Sequence, residues 1–173
     1  AIQSLEQGVS YRNLILNSNG GNVGIGTTTE TGSKLVINKN SGTPPTALSN
    51  VVVHSISLDA TPSRYLSDSF GSGNDFIGRR TNGTSSSPTA LASGNGIVSL
   101  LAMGYDETSY GTISRGTISI NAFGNWTSTS NGTNIRFSTT ANTTTTTTEK
   151  VRITDVGDFL VGTTTSLYAT TGR

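Results

Sequence analysis

The chain of 173 residues has no cysteine and one histidine, His54. The first absence excludes a disulfide scaffold and every thiolate metal site, and a lone histidine cannot anchor a zinc ion by itself. Charge is also scarce: 12% of residues are charged and 32% hydrophobic, against roughly 25% and 45–50% in soluble globular domains. Eleven basic and ten acidic side chains are interspersed, leaving a net charge of +1. With no basic stripe to neutralise phosphates, a nucleic acid is not an expected partner. No apolar run approaches the ~18 residues of a spanning helix, so membrane insertion is not expected either. Serines abound, yet none sits in a G-x-S-x-G elbow, and their number says nothing of a Ser-His-Asp triad.

Low hydrophobicity with glycine, serine, threonine and asparagine in its place is one mark of disorder. Two features oppose that reading. The net charge is near zero, and the apolar residues come in short β-branched groups. KLVINKN sets Leu35 and Ile37 against Lys34, Val36 and Asn38. GTISRGTISINAF, NIRFSTT and KVRITD repeat the alternation, with Ile118, Ile120, Ile135, Phe137, Val151 and Ile153 on the apolar side. A period of two in β-branched residues predicts strands. Asn-Gly and Gly-Ser-Gly-Asn clusters between the runs supply the positive φ of tight turns. Helical signal is confined to residues 4–14, where Gly8 interrupts it. The class is all-β. Two denser apolar stretches, LASGNGIVSLLAMGYD and SNVVVHSISL, suit strands covered on both faces, or on one face and at a subunit contact; in the second, His54 reads as a polar strand-face residue. The run Thr143–Thr148 is expected to be a solvated hairpin loop.

GNVGIGTTTE at 21–30 contains a G-x-G pair, which raises a cofactor-binding loop as a reading. GDFLVGTTTS at 157–166 answers it. Leu14–Gly20 aligns with Val151–Gly157, and Asn22–Thr29 with Asp158–Thr165. Each copy is a strand, an Asn/Asp-Gly turn, an apolar strand and a Gly-Thr-Thr-Thr exit. Gly26 and Gly162 fall in equivalent places, which points to positive φ or close chain approach there. Gly24 is replaced by Leu160, a threonine run stands where a dinucleotide loop needs a helix, and the spacing is wrong for one. No cofactor is expected.

The stretch NSNGGNVGIGTTTETGSKLVI resembles the recurring segment of tailed-phage tail-fibre and related receptor-binding fibre proteins. The likeness extends through FIGRRTNGTSSSPTALASGNGIVSLLAMGYDETSYG to IRFSTTANTTTTTTEKVRITDVGDFLVGTTTS, and so over most of residues 14–166. Departures are Phe159-Leu160-Val161 in place of valine-glycine-isoleucine, and no proline after the threonines. The resemblance implies a short-strand trimeric fibre: intertwined β-prism or β-helix-like segments flanking a β-sandwich-like insert. It divides the chain into an N-terminal strand-turn segment (1–40), a central β insert (41–148) and a C-terminal strand-turn segment (149–173), continuing in a longer protein. It further implies a virion-borne, extracellular structural and adhesive role in host attachment. The partners it implies are other virion or fibre proteins and a host-surface glycan; a bacterial surface fibre or prophage-derived adhesin would share these features.

Physics supplies the reason for a homotrimer: a thin strand-turn unit cannot bury its apolar side alone, and identical neighbours can. Ile15, Val23, Ile25, Ile37, Val151, Ile153, Phe159 and Val161 are the expected trimer contacts, with Leu35 beside them. For ligand binding, Trp126, Tyr105 and Tyr110 sit beside turn residues, where aromatic faces stack on sugars; each could equally plug the small core with its polar atom bonded at the edge. Glycan cleavage would need two carboxylates ~5–10 Å apart. Asp106 and Glu107 are sequence neighbours, and nothing in the spacing of Asp59, Asp68 and Asp75 brings them together. No catalytic residue is assigned, and the chain is not expected to be an enzyme.

Overall fold

Strands form where apolar residues recur every second position, and turn residues end them. The computed structural model describes residues 22–25, 33–40 and 45–162. The chain splits into two compact units, residues 1–74 and 75–173. Among the described residues there is no helix, and hence none long and apolar enough to cross a membrane. The all-β reading holds. The helical stretch at 4–14, the first strand of the N-terminal repeat, Ile15 and Gly26 lie outside the described residues.

In the first unit, β1 (Val23–Ile25), β2 (Leu35–Asn38) and β3 (Val53–Ile56) form a parallel sheet in that order. Register sets Val23, Leu35 and Val53 side by side, then Ile25, Ile37 and Ser55. Val36 and Asn38 are buried on the opposite face, whereas Ile25, Ile37 and Val53 are exposed. Parallel sheets are ordinarily covered on both sides; this one has an open apolar face. Residues 57–81 then run without a ladder. Ser67 Oγ donates to Asn74 Oδ1 at 3.0 Å and Asn74 Nδ2 returns a bond to the Ser67 carbonyl at 2.7 Å.

In the second unit, β4 (Asn82–Gly83) and β5 (Pro88–Thr89) make a short hairpin. Gly83 has φ +76°, and a Cβ there would lie 2.3 Å from the Ser87 carbonyl oxygen, so only glycine fits. The main sheet is antiparallel, ordered β10-β9-β8-β7-β6. Its strands are β6 (Gly96–Ala102), β7 (Gly116–Ala122), β8 (Thr133–Thr140), β9 (Thr147–Ile153) and β10 (Phe159–Val161). The threonine loop is as read, except that Thr147 and Thr148 already belong to β9. Thus β9 crosses position 148 and, with β10, completes the same sheet as β6–β8. The C-terminal repeat is the β9–β10 hairpin, turned by Gly157 at φ +91° and left through Gly162 at φ +70°. Nothing lies within 4 Å of where a Gly162 Cβ would stand, so backbone conformation is what the glycine serves there.

Of the two readings of the densest apolar stretches, covered on both faces or on one face and at a subunit contact, the single chain does not supply the first. Both stretches are edge strands, β3 and β6, and Val53, Leu100 and Leu101 are exposed within the single chain. Apolar density at an edge reflects what must be covered, not what this chain covers.

One face of the large sheet is polar. Its middle row reads Ser99, Ser119, Arg136, Arg152 and Leu160. Arg136 and Arg152 stand directly opposite, a like-charge pair that costs stability unless offset. A register shift after Phe137 leaves Lys150 as the extra residue of β9. That bulge puts Glu149, three residues from Arg152, on Arg152's face, where a regular strand would oppose them. Arg152 Nε donates to Glu149 Oε1 at 2.7 Å and its Nη2 to Oε2 at 2.8 Å; Arg136 Nε lies 3.7 Å from Oε2. The Arg152 hydrogen bonds, with the charges of both arginines, hold the Glu149 carboxyl below its ordinary value despite partial burial. A depressed carboxylate stabilises the fold above its unfolded pKa, and that contribution is lost as pH falls through the folded value. Glu149→Gln should therefore lower stability by about 1–2 kcal/mol at neutral pH. In thermal unfolding, the gap between variant and parent should narrow once the pH drops below ~4.5.

Candidate functional site

The other face of the same sheet is hydrocarbon from edge to edge. One row runs Val98, Ile120, Ile135, Ile153, Phe159; the next runs Leu100, Ile118, Phe137, Val151, Val161. Each strand contributes two residues because its alternation is kept in register with its neighbours. No side chain of the two rows reaches the buried class. Among the described residues the buried apolar set is Val36, Leu91, Ala122 and Leu160. Exposure is greatest at the two margins: Leu100 is 63% exposed on β6, Phe159 66% and Val161 65% on β10. Beyond the second row, Ala102 and Gly116 leave a shallow recess beside Leu100, Ile118 and Phe137. Fully burying a side chain of this size is worth about 1.5–3 kcal/mol.

The residues expected at a trimer interface fall on two such faces. Val151, Ile153, Phe159 and Val161 lie together on the large sheet. Val23, Ile25 and Ile37 lie together on the parallel sheet, with Leu35 and Val53 beside them. The sequence reading omitted Val98, Leu100, Ile118, Ile120, Ile135, Phe137 and Val53. For the β7 and β8 residues the signal was present as alternation; for Val98 and Leu100 it was hidden in a continuous apolar run.

The aromatic candidates separate. Tyr105 and Tyr110 lie between β6 and β7 and bridge to each other across a small hairpin. Both are exposed, and their rings meet edge to face, with centroids 5.5 Å apart and planes at 74°. Asp106 folds the tip: its Oδ1 accepts from Thr108 Oγ1 at 2.9 Å and from the Ser109 amide at 3.1 Å. Those bonds, led by the Thr108 hydroxyl, lower the Asp106 pKa. Glu107 takes φ +83°, a left-handed conformation that favours glycine. A non-glycine residue held there marks a shaped loop.

Trp126 lies between β7 and β8, at the far end of β7. Seven residues of strand separate the two loops by about 20 Å, so Trp126 and the tyrosines do not form one site. Trp126 is half-buried, and its Nε1 donates to the Gly132 carbonyl at 3.0 Å, which also accepts from the Phe123 amide at 2.9 Å. Its own amide binds the carbonyl of buried Leu91. This is the edge-bonded core arrangement. No group of three or more metal-ligating side chains occurs among the described residues.

Among solved structures, the chain is similar to the carboxy-terminal domain of the bacteriophage T5 L-shaped tail fibre, with a TM-score of 0.51 and 18% identity over 66% of this chain and 44% of that one. It is likewise similar to that domain with its intra-molecular chaperone domain, with a TM-score of 0.54 and 17% identity over 66% of this chain and 30% of that one. The chain thus spans less than half the length of either, and at these identities what is shared is the fold. No family model matches the sequence, and neither does any curated protein.

Replacing Trp126 by Phe removes one neutral hydrogen bond from a carbonyl that keeps another. The cost should be about 1 kcal/mol in thermal unfolding.

Proposed function

We propose that this chain is a structural and adhesive segment of a phage-type tail fibre, assembled as a homotrimer and taking part in host-surface attachment. The observation that carries the reading is the ten-residue apolar face, which one copy leaves open and two neighbours would close around a threefold axis. Fold likeness to tail-fibre domains and the resemblance of residues 14–166 to fibre sequences support the same conclusion. The place of work is then the virion, outside the cell, beside other fibre or virion proteins.

Attachment falls to the Tyr105–Tyr110 hairpin. Two exposed rings with the Asp106 and Glu107 carboxylates and the Thr108 and Ser109 hydroxyls at the tip offer stacking surface and polar partners, the combination a sugar needs. Three hairpins per trimer raise weak contacts to useful avidity. The proposed interaction is binding without cleavage. A glycosidase acid needs a raised pKa, whereas the carboxyl groups of Asp106 and Glu149, the two displaced among the described residues, are displaced downward.

Sedimentation at micromolar concentration should give three copies of the 17.9 kDa chain; a folded, stable monomer would refute the assembly. Val151→Asp should prevent trimer formation outright, because an unpaired carboxylate would be forced into the shared interior. Tyr105→Ala with Tyr110→Ala should leave the trimer intact and reduce host-cell adsorption at least several-fold. Unchanged adsorption would leave a shaft role without a receptor site.

A further inference from the structure

The apolar face does not end at β6. From Gly78 to Asn82 the chain runs alongside that strand in the opposite direction, with Gly78 at Val98, Arg80 at Gly96 and Asn82 at Asn95. A Cβ on Gly78 would fall 2.8 Å from the Val98 Cβ and 2.9 Å from its Cγ2, so the backbone there lies directly against a side chain of the apolar row. Arg80 fastens the segment, donating from Nη1 to the Gly96 carbonyl at 2.8 Å. Just before it, Phe76 is 83% exposed and Ile77 75% exposed. Two large apolar side chains are thus held on a strapped segment at the β6 margin with nothing of their own chain to cover them.

The opposite margin has the matching deficit. On β10, Phe159 and Val161 are flanked among the described residues by β9 on one side only and are the most exposed members of their rows. In a cyclic trimer each contact is heterologous: one margin of a copy meets the other margin of the next. Strands about 4.8 Å apart give five of them a width near 20–25 Å, and two rows occupy ~13 Å of length, so the flat face covers on the order of 300 Å². Stable interfaces take about 800 Å² from each partner. The face alone falls short, and the margins must add to it.

We infer that Phe76 and Ile77 of one copy pack over Phe159 and Val161 of the next, closing the ring of sheets margin to margin. The occupant of the β6-side segment is therefore a second copy of this chain. The inference rests on the trimer proposed above and adds the order in which its edges meet.

The test places a photoreactive benzoylphenylalanine at position 76 of the full chain, in an equal mixture of isotopically light and heavy protein. Sedimentation of the unmodified chain is read alongside. Irradiation should join position 76 to the peptide containing Phe159–Val161, in mixed light–heavy pairs, and Phe76→Ser with Ile77→Ser should weaken the trimer roughly tenfold or more. A trimer whose adducts are confined to one chain, fall elsewhere on the partner, go to another protein or fail to form overturns the edge pairing while leaving the trimer standing. A monomer in sedimentation overturns both.

Discussion

Hydrocarbon side chains on one side of a hydrogen-bonded sheet have to be kept from water, and a single copy of this chain has too little of anything else to do it. Alternation places two apolar residues of every strand on one face of β6–β10, and Ser, Arg and Glu mainly on the other. The polar side is organised by the Glu149 clasp between two facing arginines. The apolar side meets no second sheet among the described residues. A sandwich would supply that sheet from the same polypeptide; here the chain supplies loops and short hairpins instead. The parallel sheet of the first unit repeats the condition with Ile25, Ile37 and Val53. Each unit leaves an apolar sheet face exposed within the single chain.

This constraint also sorts the aromatic residues. Trp126 is drawn into the small folded end near Leu91 and Ala122, where its N–H is satisfied by a carbonyl. Tyr105 and Tyr110 stand on a hairpin whose backbone is shaped by Asp106 and by the left-handed Glu107. On the proposed reading, structure and recognition are separated: the sheet would provide association, and the hairpin contact. A fibre segment suits that division, because repetition around an axis supplies both the missing core and the number of binding tips.

Much was legible in the residues. The period of two in KLVINKN, GTISINAF, NIRFSTT and KVRITD specified strands and, for Val151 and Ile153, the face they share. The glycine of the C-terminal repeat was legible as well, and Gly162 takes the positive φ that its position implied. The dense apolar stretches left two readings standing, because continuous hydrophobicity has the same appearance whether a strand is covered twice by its own chain or stands at an edge. The separation of Trp126 from the tyrosines was legible too, since the strand read in GTISRGTISINAF lies between Tyr110 and Trp126 and sets its flanking loops at opposite ends.

The sequence alone determined the class, the alternation, the turn positions and the shortage of material for a self-contained core, because these follow from side-chain chemistry at neighbouring positions. Only the tertiary structure decided that five strands align their apolar residues into two unbroken rows, that a bulge at Lys150 brings Glu149 onto the arginine face, and that Gly78 lies against Val98. Each of those depends on register between segments distant along the chain, and a one-residue slip would have exchanged the polar and apolar faces.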